Sequence, residues 1–157
     1  MLLQLCYASE RTESEQDLLQ ELSDILAMAR NFNQQHQIYG VLYYAHGKFF
    51  QCLEGQAEVV EKLFQSISRD TRHHQILRFE DALVEQPHFS EWSMKYVHKH
   101  SEISSLFSRL GWTQFEPHAL QRSGIAELLK ILYRLEENQA SLALAQGYKQ
   151  RGYIPYF

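Results

Sequence analysis

The sequence predicts an α+β fold of the ferredoxin-like kind, with an antiparallel or mixed sheet and two helices on one of its faces. Two observations support this prediction. Segments with the two-residue alternation of strands and segments with helical spacing follow one another in the order strand, helix, strand, strand, helix, strand. A further apolar series beyond residue 101 predicts C-terminal helices, which we expect to cover the second face of the sheet.

Strands are predicted where apolar and polar residues alternate or where β-branched and aromatic residues cluster. Leu3, Leu5 and Tyr7 share one face of the first strand. His46-Gly47 is a short turn between two such runs and predicts a β-hairpin. In the ferredoxin-like topology the first and third strands are central neighbours. The predicted strands are residues 2–8, 38–45, 48–54, 76–85 and 93–98.

Helices are predicted where apolar residues recur every three or four positions. Thr12 and Ser14 are candidate N-caps for the first and longest of them. The predicted helical segments are residues 15–34, 59–69, 103–110 and 125–135, with 111–124 as a linker. We therefore divide the chain into a domain over residues 1–100 and a C-terminal helical extension over residues 101–157.

Composition narrows the class of protein. A formal net charge of -4 argues against a nucleic-acid-binding surface over the whole molecule, because such surfaces are basic. No segment has the length of a membrane span and the N-terminus lacks the features of a signal peptide, so a cytoplasmic location is expected. Cys6 and Cys52 lie within predicted strands as core residues, and no His/Cys spacing of the zinc type occurs, so no metal site is predicted.

Gln51 is a polar residue in an apolar row, because strand alternation places it with Phe49 and Leu53. A buried amide needs hydrogen-bond partners, and Tyr7 on the neighbouring central strand could supply its hydroxyl. The alternative is that a register bulge turns Gln51 to solvent and that Tyr7 is an ordinary core aromatic.

Two other polar sites have ordinary explanations from pattern alone. Asn33 lies at the end of the first predicted helix, where a C-terminal cap is common. Asp70, Arg72 and His73 follow the second predicted helix and are typical of a solvated helix terminus.

Four motifs in order change this interpretation. They are Tyr39-Gly40-Val41-Leu42-Tyr43-Tyr44, Phe49-Phe50-Gln51-Cys52-Leu53-Glu54-Gly55, Arg69-Asp70-Thr71-Arg72-His73, and Phe89-Ser90-Glu91-Trp92-Ser93-Met94. Together they resemble the BLUF family of flavin-binding blue-light sensors over residues 2–98, in its short single-domain form. The chain departs from the usual pattern at Tyr39, where many relatives carry Thr, and at Phe32, which is often polar.

The resemblance implies a flavin, FAD with FMN as the alternative, whose ring lies between the two helices of the domain over residues 1–100. Asn33 would bond the pyrimidine side of the ring, and Gln51 would lie near its N5 and O4 edge, with Tyr7 behind Gln51. Asp70 would hold the polar edge of the ring, Arg72 would approach the ring or the phosphate region, and His73 would be a further cofactor-binding residue. Trp92 and Met94, expected on the last strand, would control the environment of Gln51 and pass the signal on.

The resemblance also implies a sensor and not an enzyme. Light would drive an electron and a proton from Tyr7 through Gln51, whose rearrangement strengthens the hydrogen bond to flavin O4. The signal is then a conformational bias passed to other surfaces. We expect no attached effector module, and therefore an output that passes through a downstream signalling or transcription-regulating protein, or through a change of homo-oligomeric state.

Two other classes of function remain open from the residues. A small flavoenzyme, such as a flavin-dependent reductase, would share the cofactor, although the sequence has no Gly-rich phosphate loop and no paired carboxylates. An RNA-binding sheet would share the topology, but its aromatic and basic motif is missing. The aromatic, basic end of the chain, Tyr148–Tyr153 with Tyr156 and Phe157, is a further candidate output surface.

Overall fold

The fold is taken from a computed structural model, which describes residues 1–135. Residues 1–135 form one mixed sheet and four α-helices. The strands are β1 (Leu2–Arg11), β2 (Tyr39–Ala45), β3 (Lys48–Gly55), β4 (His73–Arg78), β5 (Ala82–Val84) and β6 (Lys95–His98). The helices are α1 (Leu18–His36), α2 (Ala57–Ser68), α3 (Ser101–Arg109) and α4 (Arg122–Arg134), with a short 3-10 helix at Pro117–Ala119. The terminal segment beginning at Tyr148 lies outside the described residues.

The sheet has the strand order β4-β1-β3-β2-β6, with β5 pairing beside β4 on the same edge of β1. β3 is antiparallel to both β1 and β2, while β6 runs parallel to β2. The β2–β3 hairpin turns at His46 and Gly47, which both have positive φ, as a two-residue turn of type I′ requires. The predicted fold class and the central β1–β3 pair are therefore confirmed.

Several predicted boundaries were wrong. α1 begins at Leu18, because Asp17 accepts a hydrogen bond from the Gln20 N–H and serves as N-cap in place of Thr12 or Ser14. The predicted strand 76–85 is two strands, β4 and β5, separated by residues 79–81. The last strand begins at Lys95, so the segment that includes Trp92 and Met94 precedes it.

Two hydrophobic cores lie on opposite faces of the sheet. On one face, Leu5, Leu42 and Leu53 pack against Leu22 and Leu26 of α1. On the other, the alternate side chains of the same strands, with Cys6 and Cys52 among them, pack against α3 and α4. Within residues 1–135 both faces are therefore covered, which leaves no open sheet surface of the kind that binds RNA.

Among the described residues, no cluster of three or more His, Cys, Asp or Glu side chains is placed to hold a metal ion. None of the helices in residues 1–135 has the length and apolar character needed to cross a bilayer.

Candidate functional site

A cavity of about 550 Å³ opens between α1 and α2 above β1 and β3. Its walls are mainly apolar, and its polar groups are few, as in sites that hold flat organic ligands. Helical spacing explains the α1 wall, since Met28, Phe32 and His36 are successive turns of one face. The walls also include Tyr7, Asn33, Gln51, Asp70, Arg72, His73 and Met94, which are seven of the eight residues that the sequence predicted.

Tyr7 and Gln51 are directly opposite one another on β1 and β3. The Tyr7 hydroxyl donates a short hydrogen bond to Gln51 Oε1, and both side chains are buried. Because the amide oxygen faces Tyr7, the amide nitrogen points away from it, and Nε2 lies 3.7 Å from the Met94 sulfur. The Gln51 amide thus contacts the Tyr7 phenol through its oxygen and the Met94 sulfur through its nitrogen. Because Gln51 is buried, the alternative in which it faces solvent is wrong.

The Tyr7 phenol is held in its neutral form. Burial, together with the nearby charge of Asp70, raises the pKa of Tyr7 well above its ordinary value. The phenol therefore keeps its proton in the resting protein and donates it to Gln51.

Asn33 lies on α1 with its side chain buried at the cavity. Its Nδ2 donates to the Ser93 carbonyl at 2.7 Å, but its Oδ1 has no hydrogen-bond partner among the described residues. The helix is capped by Gln37, which has positive φ, so a C-cap role for the Asn33 side chain is wrong. A buried acceptor without a partner costs about 1–3 kcal/mol, which a ligand N–H would recover.

Asp70 and Arg72 form a bidentate pair in the turn between α2 and β4. Partial burial acts to raise the pKa of Asp70, but hydrogen bonds and charge from Arg72 outweigh it and hold that pKa below its ordinary value. The pair keeps a fixed carboxylate and a fixed guanidinium on the cavity wall.

Both ring nitrogens of His73 are already engaged. Nε2 donates to the Ile67 carbonyl at 2.7 Å, so Nδ1 accepts from the Ser9 hydroxyl at 2.8 Å when the ring is neutral. His73 therefore lines the cavity but leaves no free nitrogen for a ligand.

Trp92 is the one predicted site residue that the structure does not bring to the cavity. Its ring packs over the Lys95 ammonium group at 5.9 Å from the ring centroid, while Met94 two residues later contacts Gln51. Met94 therefore lies beside Gln51, whereas Trp92 does not line the cavity.

Some cavity residues were missed by the sequence analysis, namely His36, Lys62 and Ser66. His36 packs at a tilt against Phe32 with ring centroids 4.1 Å apart, and Lys62 and Ser66 of α2 line the opposite side. Their spacing of four residues along each helix was a usable signal, because residues one turn apart share a face.

The fold and the cavity together define a domain that holds a flat polar cofactor, since an apolar slot ends in an amide, an unsatisfied carbonyl oxygen and a buried phenol. Residues 2–95 match the family model for sensors of blue light using FAD, known as BLUF. The chain belongs to the BLUF family and is a flavin-binding blue-light sensor.

Solved structures and curated proteins agree with this assignment. The ground-state structure of BlsA is 44% identical, with a TM-score of 0.85, over 89% of this chain and 93% of that one. The dark-state structure of BlrB, a BLUF protein, is 29% identical, with a TM-score of 0.71, over 84% and 95% of the two chains. Photoactivated adenylate cyclase subunit alpha of Euglena gracilis is 32% identical over 114 residues, which are 69% of this chain but 11% of that protein.

These matches cover very different shares of the relatives' own length. This chain spans a small part of the Euglena relative, whose name includes a cyclase, and nearly the full length of BlsA and BlrB. The flavin-dependent reductase considered from the sequence has no support among them.

Proposed function

We propose that Tyr7 and Gln51 are the photoactive pair of this sensor and that the cavity between α1 and α2 holds the isoalloxazine ring. The observation that carries this proposal is the hydrogen bond from the Tyr7 hydroxyl to Gln51 Oε1 at the wall of the cavity. It aligns a donor of one electron and one proton with an amide that can relay the proton.

When bound, the flavin supplies a strong oxidant on absorbing blue light. Tyr7 would supply the electron, and its hydroxyl proton would cross to Gln51 Oε1 along the existing hydrogen bond. When the electron returns, one proton would return from Gln51 to Tyr7: the same proton if the amide rotates, or a proton from Nε2 if the amide becomes its tautomer. Gln51 would then be the one residue left changed, with an N–H or O–H group placed to donate a stronger hydrogen bond to flavin O4.

The remaining polar groups have separate binding roles in this proposal. The free Oδ1 of Asn33 accepts the ring N–H on the pyrimidine side. The fixed Asp70–Arg72 pair offers a carboxylate to the polar edge and a guanidinium to a carbonyl or phosphate oxygen. Met94 and the edge of His73 complete the apolar contact around Gln51 and Tyr7.

We propose FAD as the flavin and a protein as the receiver of the signal. The description of the family names FAD. The cyclase relative indicates that BLUF domains act on effectors, so a downstream signalling or transcription-regulating protein, or a second copy of this chain, is the proposed partner.

An absorption spectrum of the purified protein before and after blue illumination tests the function. We expect a yellow protein whose flavin band shifts to longer wavelength in light and returns in darkness. Chromatography of the flavin released by denaturation identifies it as FAD or FMN. A flavin band that is unchanged by light would contradict the proposal.

A further inference from the structure

Glu54 is a charged residue buried in the core on the far side of the sheet from the cavity. It lies on β3 three residues after Gln51, and its exposure is 0%. Strand alternation turns Gln51 toward α1 and α2 and Glu54 toward α4. A buried carboxylate is costly unless hydrogen bonds compensate for its lost hydration, so its partners indicate its role.

Four hydrogen bonds reach the Glu54 carboxylate. Oε1 accepts from the backbone N–H groups of His88 and Phe89 at 2.7 and 3.0 Å. Oε2 accepts from Gln4 Nε2 and from His88 Nδ1, both at 2.9 Å. Two of these donors belong to the backbone of one chain segment, so the carboxylate fixes where that segment begins.

The connecting segment, residues 88–95, touches the cavity side of the molecule at its far end. The Met94 sulfur meets Gln51 Nε2, and the Ser93 and Met94 carbonyls accept from Asn33 and Arg30 of α1. A change in the Gln51 amide therefore acts directly on this segment.

The same segment also holds the last turn of α4. The Lys95 side chain is buried, and its Nζ donates to the Leu132 carbonyl at 3.0 Å. Carbonyls in the last turn of a helix lack intrahelical partners, and a cation there is favourable. The His88 ring stacks on Tyr133 at 4.3 Å between centroids, and Gln4 Nε2 donates to the Tyr133 hydroxyl at 3.1 Å.

We infer that Glu54 is a positioning residue that anchors the connecting segment, and that the segment passes a change at Gln51 to the last turn of α4 through Lys95. This inference rests on the proposed photoactive role of Gln51. With its first two residues fixed by Glu54, the segment transmits displacement of Met94 to Lys95 and does not absorb it by local rearrangement.

Light-minus-dark hydrogen exchange of the amides of residues 132–135 tests this inference in the flavin-loaded full chain. We expect a light-induced change in wild type that is lost in Glu54→Gln, while the red shift of the flavin band remains. The Gln side chain has the size of Glu, but its NH2 group replaces one carboxylate oxygen and cannot accept hydrogen bonds from the donors that this oxygen serves. Glu127→Gln, an exposed carboxylate on α4, is the matched control and should retain the change.

Lys95→Met provides an independent variant, because it keeps an unbranched apolar stem and removes the ammonium group that bonds the Leu132 carbonyl and lies over the Trp92 ring. It should lose the α4 response and keep the red shift, whereas Lys130→Met, at an exposed position of α4, should keep both. If Glu54→Gln does not fold, Lys95→Met decides alone. A full α4 response in either variant, or a wild type with a red shift and no α4 response, would overturn the inference; a wild type without a red shift would instead refute the proposed function.

Discussion

The Tyr7–Gln51 pair places a phenol and an amide in an otherwise apolar layer formed by α1, α2 and the sheet. Such a pair is expensive to bury, and its members satisfy only one polar group each by bonding one another. The remaining amide N–H groups of Gln51 have a weak sulfur acceptor at 3.7 Å. The pair is therefore arranged for a ligand more than for stability.

Replacing Tyr7 by Phe should leave flavin binding nearly intact and abolish the light-induced red shift. Most of the cavity wall is unchanged, but the donor of the electron and proton is gone. Gln51 Oε1 would lose its partner, at a cost of about 1–3 kcal/mol in the free energy of unfolding. Flavin fluorescence titration and illuminated spectra measure the two effects, and a wild-type red shift in this variant would exclude Tyr7 from the photochemistry.

Replacing Gln51 by Leu should give a folded, yellow and photochemically silent protein. Leu fills a similar volume between Phe49 and Leu53 and removes the cost of burying an amide, but it relays no proton. Infrared difference spectra of the flavin C4=O stretch are the measurement. A downshift in light equal to that of wild type would show that another donor makes the signalling bond.

Single site residues could be predicted from the sequence where a polar residue interrupts the apolar positions of a strand. Gln51 could be found because it interrupts an apolar row, and β1–β3 pairing then leads to Tyr7. Asn33 could not be separated from a helix cap, because the two possibilities differ only in side-chain direction. Trp92 and Met94 are two residues apart, yet the segment is irregular there, so period-two reasoning gave no reliable face for either.

Elements were predicted in the right order, and their ends were less accurate. The start of α1 depended on which of several capping residues is used, and local sequence offered Thr12, Ser14 and Asp17 alike. The division between β4 and β5 depends on tertiary pairing, since β4 pairs with the second half of β1 and β5 pairs with its first residues. A local hydrogen bond decided the first case, and tertiary pairing decided the second.

Asp17→Ala should reduce the free energy of unfolding by about 1 kcal/mol, because the first turn of α1 loses its side-chain acceptor. Glu13→Ala is the control, since Glu13 is exposed, lies outside the helix and should cost less. Chemical denaturation followed by circular dichroism compares the two. Equal losses would mean that Asp17 is not the cap that matters.

The turn between α2 and β4 should make stability depend on pH in the acid range. Because the pKa of Asp70 is lowered by Arg72, its contribution is fully present above the ordinary Asp value of 3.8 and is lost as the pH falls through the lowered pKa. The difference in unfolding free energy between wild type and Asp70→Asn should therefore stay constant above the ordinary Asp value of 3.8 and shrink as the pH falls below it. Glu80→Gln, at an exposed pair with Arg122, should have a small effect at every pH. A difference for Asp70→Asn that is constant through the acid range would contradict this assignment.

At the scale of the whole molecule, α4 is part of the core and not an independent appendage. Leu132 is fully buried against the sheet, and Phe89 and Val97 belong to the same cluster. Leu132→Ala should cost about 2–5 kcal/mol by leaving a cavity, whereas Leu110→Ala at a 43% exposed position should cost far less. Thermal denaturation of the flavin-loaded protein measures both. Similar losses would show that α4 is only loosely packed on the sheet.

The alternation of side chains along β3 has a consequence for how such a protein can be tuned. Odd-numbered positions such as 51 and 53 face the cofactor layer, while even-numbered positions such as 52 and 54 face the α4 layer. The two faces of β3 thus contact two different layers of the molecule. Changes at odd positions should adjust colour and the lifetime of the lit form, and changes at even positions should adjust what the molecule reports, so natural variation or laboratory selection can reset sensitivity and response almost independently.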